Sequence, residues 1–581
     1  MTLQLRSKGV LYFLIVTTYF FTTTCIGQVH KIEQFYTKHS KAPLLITFKD
    51  QANLSLSAKL KTKEEKTKFV YEQVIRQHQE SLSRFLNSFQ INQFTSFPVA
   101  NSIVVDLNQL QYFQIKNHPL VLSIILDVAE PRLEAVSYRN EITPNQRSLP
   151  TTWGIKDCKA DSVWMAGYTG KGVVIGGQDT GYNNDLTPLR RSYRGYINDS
   201  MATHHYHWHD AIREQNVLNS NDNNPCGFDT KMPCDDNNHG THTMGTMVGS
   251  DTSEIIGVAP DAQWIGCRNM DRGWGKPSSY IECFEWFLAP TDLNNQNPKT
   301  ELAPDVINNS WGCPEKEGCN DTNWEVMRRV VVALKAAGIF VVVSAGNSGP
   351  NCNTVSDPAA FFKESFTVGA HAISGAIAGF SSRGTSRFDT TLVKPDITAP
   401  GVGVRSILRN GVYANASGTS MAGPHVAGVV ALILSSAPKL KGQVEIVENI
   451  LRQSARPAVG DKVCNGIDTI AIPNNTFGHG RLDAMKALQL AKEYQSTAIN
   501  NGIPSNIKLY PNPAENFIFV DGVDNGTFEY YIYDLSGKIV LYGQQEHKLI
   551  SFTESITNGL YFCRIVLEGN VFMSTLLINK S

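Results

Sequence analysis

The spacing of apolar residues changes character several times along this chain of 581 residues. "APLLITF" (42–48) is a short apolar run and reads as a strand. Over 63–89, Phe69, Val70, Val74, Leu82, Phe85 and Phe89 fall on one stripe of a long amphipathic helix. Strand-like "INQFTSF" (91–97) and "SIVVDL" (102–107), a short helix near 108–117, and "LVLSIIL" (120–126) follow. That order, β-α-β-β-α-β, predicts a ferredoxin-like α+β unit. A stretch rich in Pro, Asn and Arg (131–150) then reads as a linker.

From about 150 to 495 the pattern becomes α/β. "VVIGGQ" (173–178), "QWIGC" (263–267), "DVINNS" (305–310), "IFVVVSA" (339–345) and "SFTVGA" (365–370) are near-continuous apolar runs. Helical stretches near 240–249, 277–288 and 323–338 separate them. Such alternation predicts a three-layer fold, a parallel sheet with helices on both faces. Sites in such sheets form at the carboxyl ends of the strands. After "STAINNGIPSN" (496–506), short strands and turns predict a small all-β sandwich, and no tandem repeat occurs.

Composition adds limits. Hydrophobic content of 42% and charged content of 18% are ordinary for globular protein. A net charge of −1 argues against nucleic acid or an anionic membrane as the main partner. Arg6 and Lys8 precede the apolar run Val10–Phe21, and "CIG" (25–27) offers small residues for cleavage before Gln28, so 1–27 reads as a secretory signal peptide. A lipid on Cys25 is the alternative. That run is short for a bilayer and no later segment reaches the length, so no transmembrane anchor is expected.

Eleven cysteines are present, and ten remain once Cys25 leaves with the signal, which suits an oxidising compartment. Cys226 with Cys234, and Cys313 with Cys319, bracket short loops and read as local staples. Nine of the ten lie between Cys158 and Cys464, so at least one thiol there lacks a partner in that region; Cys563 is in the tail. No CxxC pair supports zinc.

Four short stretches carry chemistry. "GQDTGY" puts Asp179 at a strand end, where an acid is either a turn former or a functional carboxylate. "HGTHTMGTMVG" puts His239 at the start of a helix whose small residues allow close packing. "SAGNSGP" puts Asn347 after the strongest buried strand, as a turn residue or as an amide donor to developing negative charge. "GTSMAGPHVAG" puts Ser420 at a helix start, as a cap or as a nucleophile. Asp, His and Ser in that order match one of three chain orders of the catalytic triad, and "GTSMA" is not the G-x-S-x-G elbow. His425, five residues along the helix, is rotated about 140° from Ser420 and is no rival base.

Together these residues resemble the subtilisin-like serine protease family, and "GVAPDA" (257–262) and "GHGRLDAMKAL" (478–488) match its supporting segments. The context "RNMDRGWGKPSSYIECFEWFLAPTDL" looks like the bacillopeptidase F branch. The resemblance implies a serine endopeptidase: Ser420 as nucleophile, His239 as base, Asp179 orienting it, and Asn347 with the Ser420 N–H as oxyanion hole. It makes Ser310, Trp311 and Gly312 an edge that pairs with protein or peptide substrate.

No cofactor is implied for catalysis. Structural calcium is an open reading of the Asx-rich stretch "NSNDNNPCGFDTKMPCDDNNHG" (219–240), which lacks EF-hand spacing. "HHYHWHD" (204–210) reads as an aromatic-rich surface loop rather than a metal site. Asp357 would favour a basic substrate side chain if it faced the pocket.

Residues 28–131 look like the propeptide inhibitor of these proteases, and 132–149 like a linker holding the processing site. The peptidase domain is then 150–495, with a linker at 496–505. Residues 506–581, with "LYPNPAENFIFV", "YDLSGKIV" and "GLYFCRI", are similar to sorting domains of type IX secretion. The expected location is therefore secreted or cell-surface, with the secretion machinery as partner. The rival reading is a catalytically silent scaffold serving adhesion.

Overall fold

The computed structural model describes residues 31–128, 137–140, 151–215, 224–312, 324–386, 389–500, 508–521, 527–534, 538–545, 547–552, 556–567 and 570–580. The signal peptide and the Cys313–Cys319 staple lie outside them. Two units are present, divided after Ala491.

The first unit opens with the expected order. Strand β1 (Lys41–Phe48), helix α1 (Lys63–Leu86), β2 (Thr95–Phe97), β3 (Ser102–Asn108), α2 (Gln109–Ile115) and β4 (Val121–Leu126) form a sheet of order β2-β3-β1-β4. All its pairs are antiparallel. Thr62 and Glu65 close a capping box at the start of α1, and Asn108 with Gln111 does the same for α2. Strand β2 is shorter than the apolar run suggested.

One face of this sheet, with Leu44, Ile46, Ile103 and Val105, packs with Phe85, Tyr112 and Ile115 of the helices. The other face, with Leu45 and Ile125, joins a second core shared with the larger sheet's helices. Burial on both faces explains why "LLITF" is continuously apolar instead of alternating.

The larger sheet has seven strands: β6 (Val174–Asp179), β7 (Trp208–Asp210), β8 (Gln263–Arg268), β9 (Val306–Asn309), β10 (Phe340–Ser344), β11 (Phe366–His371) and β12 (Ile397–Pro400). Their order is β12-β11-β10-β9-β6-β8-β7, and all pairs are parallel. Helices α4 (Pro277–Leu288) and α5 (Trp324–Ala336) cover one face together with the N-terminal unit. Helices α3 (His239–Val248), α6 (Thr419–Ser436), α7 (Val444–Ser454) and α8 (Ala484–Asn500) belong to the other side. Residues alternate between the two cores along each strand: Val306 and Val342 face α6, while Ile307, Val341 and Val343 face α4 and α5.

Helix α6 is long and apolar enough to cross a bilayer by composition alone, but its residues are almost wholly buried in this core. Helix α8 runs to Asn500, into the stretch expected to be linker.

Besides β7 and β12, which the apolar runs did not reveal, two further segments add unexpected strands. β13 (Val404–Ile407) and β14 (Tyr413–Ser417) form a hairpin, and β5 (Ser137–Asn140), inside the expected linker, pairs antiparallel with β14. Disulfides join Cys226 to Cys234, as the spacing suggested, and also Cys267 to Cys283 and Cys352 to Cys464. Cys158 is a free, buried thiol, and burial pushes it up to about 12.

The second unit holds two antiparallel sheets. One has β15 (Lys508–Tyr510), β16 (Phe517–Asp521) and β19 (Leu549–Ser551). The other has β17 (Phe528–Tyr533), β18 (Ile539–Gln545), β20 (Gly559–Leu567) and β21 (Asn570–Ile578). Alternate residues such as Ile518 and Val520 meet Phe528, Ile532, Ile565 and Leu576 in one core, which is the expected sandwich.

Candidate active site

Chain direction across the larger sheet reverses at β6, whose neighbours β8 and β9 lie on opposite sides. The carboxyl end of that strand is therefore a topological switch point, the place where sheets of this kind bind ligands. Asp179 is its last residue and is buried.

Nδ1 of His239, also buried, donates to Oδ1 of Asp179 at 2.7 Å. The same oxygen accepts from the Thr180 N–H at 2.7 Å. Close packing at this turn explains the local glycines. A Cβ on Gly240 would strike the Gly181 carbonyl, and Gly181 holds φ at +105° against the Cys234 carbonyl.

Asp235 organises the turn before α3, a role that sequence reading missed. Its carboxylate accepts from the N–H groups of Asn237 (2.9 Å), Asn238 (3.0 Å) and Thr241 (2.9 Å), and from Thr180 Oγ1 (2.9 Å). It thus caps the helix that carries His239 and ties it to the turn after Asp179. The signal was an acid four residues ahead of the histidine in "CDDNNHG".

Ser420 is the second residue of α6 and is buried. Its Oγ donates to the Ser310 carbonyl at 3.1 Å, and Ser310 Oγ donates to the Ser420 carbonyl at 2.9 Å. The end of β9 is thereby locked to the start of α6. Helix α3 is fixed to the hairpin leading into Ser420, because Ser406 Oγ donates to the His242 carbonyl and His242 Nε2 bonds the Ala414 carbonyl.

Asn347 follows β10. Its Oδ1 accepts from the N–H of Thr419 at 2.8 Å and from Thr419 Oγ1 at 3.0 Å. With the oxygen held there, Nδ2 points the other way, and it is buried with no hydrogen-bond partner among the described residues. A Cβ on Gly418 would lie 3.5 Å from it. Asp179, His239, Ser310, Asn347 and Ser420 are therefore all placed at one end of the sheet. Trp311 is buried against Tyr280, with ring centroids 3.9 Å apart, and Gly312 follows it.

Three other candidates have structural surroundings. His425 Nδ1 donates to the Met421 carbonyl at 2.9 Å, and burial pushes its ring down to about 4, so it is uncharged near neutrality. In 204–210 the side chains are engaged: Arg194 donates to His207 at 2.9 Å, His209 bonds Glu282 at 2.7 Å, and Trp208 is buried instead of exposed. Around the Asx-rich stretch, buried Arg268 lies 3.0 Å from Asp210 and 3.7 Å from Asp236. A guanidinium at the centre of those acids does not suit a cation site. Among the described residues, no group of three or more His, Cys, Asp or Glu is arranged to hold a metal.

This sheet is that of a subtilase. The subtilase family profile matches residues 170–480, more than half of the chain, and the chain belongs to that family. A secretion system C-terminal sorting domain matches residues 508–579. Among individual proteins, the chain is similar to Bacillopeptidase F of Bacillus subtilis, 32% identical over 85% of this chain and 33% of that protein. It is 29% identical to Subtilisin E of Bacillus subtilis over 59% of this chain and 72% of that protein. It is 31% identical to the Subtilisin of Bacillus pumilus over 50% and 86% respectively. The match thus spans a third of Bacillopeptidase F and most of the shorter relatives.

Proposed function

We propose that this protein is a secreted serine endopeptidase working through Asp179, His239 and Ser420. The observation that carries the reading is the buried His239–Asp179 pair at the switch point, facing the same strand ends as Ser420 and the unpartnered Asn347 amide.

With its Nδ1 proton held by Asp179, the neutral ring keeps Nε2 as its basic nitrogen. Ser420 turns its hydroxyl from the Ser310 carbonyl to that nitrogen, a rotation between staggered wells. It attacks the scissile carbonyl as Nε2 takes the proton, and His239 then gives the proton to the leaving amine. Negative charge on the tetrahedral oxygen is met by Asn347 Nδ2 and by the Ser420 N–H, which belongs to the first helical turn and has no intrahelical acceptor. Water repeats the sequence to release the acyl group. Segment 310–312 pairs with the substrate backbone.

Residues 28–131 act in this reading as an inhibitory propeptide, after the signal peptide 1–27. Support comes from the shared core, in which Leu45 and Ile125 pack with the covering helices α4 and α5. Arg329 of α5 donates to the Phe48 carbonyl at 2.6 Å, and Glu285 of α4 accepts from the Val99 N–H at 3.1 Å. Register also supports autoprocessing within 132–138. Ser137 lies opposite Ser417, three residues before the nucleophile, and Asn140 lies opposite Ala414. The chain after Ser137 therefore runs away from Ser420, as the leaving side of a cut would. The unit 506–581 directs the enzyme through type IX secretion to the surface or medium.

A fluorophosphonate tests the reading, because it labels only an activated serine. Wild-type protein is expected to label and Ser420→Ala to stay unlabelled, with His239→Ala and Asp179→Asn losing about 10⁴- to 10⁶-fold in turnover. A Ser420→Ala protein retaining a tenth of wild-type turnover sinks the assignment.

A further inference from the structure

Asp179 ends β6 and His239 begins α3, so their hydrogen bond depends on two separate elements keeping register. Thr180 and Asp235, both buried, hold the two backbones together. The Thr180 N–H donates to Asp179 Oδ1, the oxygen that also receives His239 Nδ1. Thr180 Oγ1 accepts from the Gly240 N–H at 3.0 Å and donates to Asp235 Oδ1 at 2.9 Å. The same Asp235 oxygen takes the N–H of Asn238, which stands directly before His239 with φ at +98°. A non-glycine residue keeps that left-handed backbone only where its surroundings over-determine it.

Asp235 is in turn placed by the residue before it. The Cys234 carbonyl accepts from the Tyr182 N–H at 3.2 Å, and Cys234 is bonded to Cys226. Beyond that bond, the Gly227 carbonyl accepts from Arg268 of β8 at 2.6 Å, and Arg268 donates to Asp210 of β7 at 3.0 Å. The Thr230 N–H reaches Asp210 as well, at 2.8 Å. The disulfide thus ties the chain entering Asp235 to the ends of two sheet strands.

We propose that Asp235 is a positioning residue for the Asp179–His239 pair and that the Cys226–Cys234 disulfide acts through it, so that full turnover is reached only once that bond has formed. This rests on the endopeptidase reading. The carboxylate acts through the Thr180 hydroxyl and the Asn238 N–H, and the disulfide acts through the carboxylate. Disulfides form in oxidising compartments, so a chain still in the cytoplasm carries a poorly positioned histidine.

The test uses the full chain, left until self-processing is complete. It measures kcat and KM on a chromogenic peptide, with fluorophosphonate titration to count intact nucleophiles. Asp235→Ala is expected to lower kcat by about 10²-fold at nearly constant KM, the cost of a small misplacement of a catalytic group. Asp235→Asn keeps one acceptor oxygen and should recover part of that loss. Cys226→Ser with Cys234→Ser should cost about tenfold, and nothing further when added to Asp235→Ala or Asp235→Asn, because all these changes break one linkage. Should Asp235→Ala fail to mature, the asparagine variant with the cysteine pair makes the same comparison. Melting of each variant in a Ser420→Ala background verifies that it is folded at the assay temperature. Asp235 variants within about threefold of wild-type kcat, a loss lying wholly in KM, or cysteine and Asp235 effects that multiply overturn the proposal while leaving the endopeptidase reading standing. Wild-type protein that neither labels nor cleaves removes that reading and the proposal with it.

Discussion

Asn347 offers the sharpest check of the proposed mechanism, because its two amide atoms have separate duties. Oδ1 is a structural acceptor, taking two hydrogen bonds from Thr419 at 2.8 and 3.0 Å. Nδ2 is the buried donor with no partner among the described residues. Asn347→Leu removes both functions. Losing the donor is expected to lower kcat by about 10²–10³-fold, or ~2.7–4 kcal/mol, the cost of deleting such a donor from a subtilisin. Losing the acceptor strands the Thr419 N–H and costs a further ~1–3 kcal/mol of stability.

Asn347→Asp separates the two effects. An aspartate keeps the oxygen that holds Thr419, so the melting temperature should stay near wild type, while the donor becomes an anion facing the oxyanion. Its kcat should fall at least as far as that of the leucine variant, with KM on a chromogenic peptide nearly constant. Active-site titration normalises each rate to intact nucleophile. An aspartate variant within tenfold of wild-type kcat, or one whose loss lies wholly in KM, refutes the oxyanion role.

Other outcomes follow from the same geometry. Full-length Ser420→Ala, expressed without other proteases, should keep residues 28–131 attached; cleavage in the 132–138 window would assign processing to another enzyme. Burial against the N-terminal unit pushes the Glu285 carboxyl up to about 8 from an ordinary 4.5. Because this acid is raised in the bound state, the bound state favours its proton, and the hold on the unit is strongest below 4.5 and weakens as pH rises toward 8. Release of the cleaved unit, followed by size exclusion, should therefore increase over that window and become flatter in Glu285→Gln; release that rises as pH falls would contradict the sign. A chain ending near Tyr494 should cleave soluble peptide yet remain in the periplasm of its native host, and normal delivery of that form would mean the tail serves another purpose.

Five of the seven sheet strands were legible because they are buried on both faces and so read as apolar runs, whereas the short β7 ("WHD") and β12 ("ITAP") carry no such run. All five expected runs fall within one residue of the observed ends, as with 339–345 against Phe340–Ser344. The candidate site was legible through motif order, with each short stretch at the end of a strand or the start of a helix. The hairpin β13–β14 was not, because "GVGVRSILRNGVYANAS" mixes small, polar and apolar residues without a clean period of two. Strand β5 hid in a polar stretch because its partner contributes backbone bonds, which leave no side-chain pattern. Local cysteine spacing found Cys226–Cys234 but could not find Cys352–Cys464, whose halves are 112 residues apart. Asp235 and Arg268 act through contacts made only after folding brings distant turns together.

The double burial of β1 links the fold to the proposed life history of the enzyme. Leu45, Val70, Val74 and Ile125 of the N-terminal unit lie in a core with Phe284, Val330 and Leu334 of the covering helices. While the unit is docked, that core holds it against α4 and α5 whether or not the chain has been cut. Once it leaves, the same side chains form an exposed apolar patch on the released unit. Local opening then presents its loops to the freed active site. In the proposed reading, the face by which the unit binds also makes its loss hard to reverse, because the released unit becomes a substrate before it can redock.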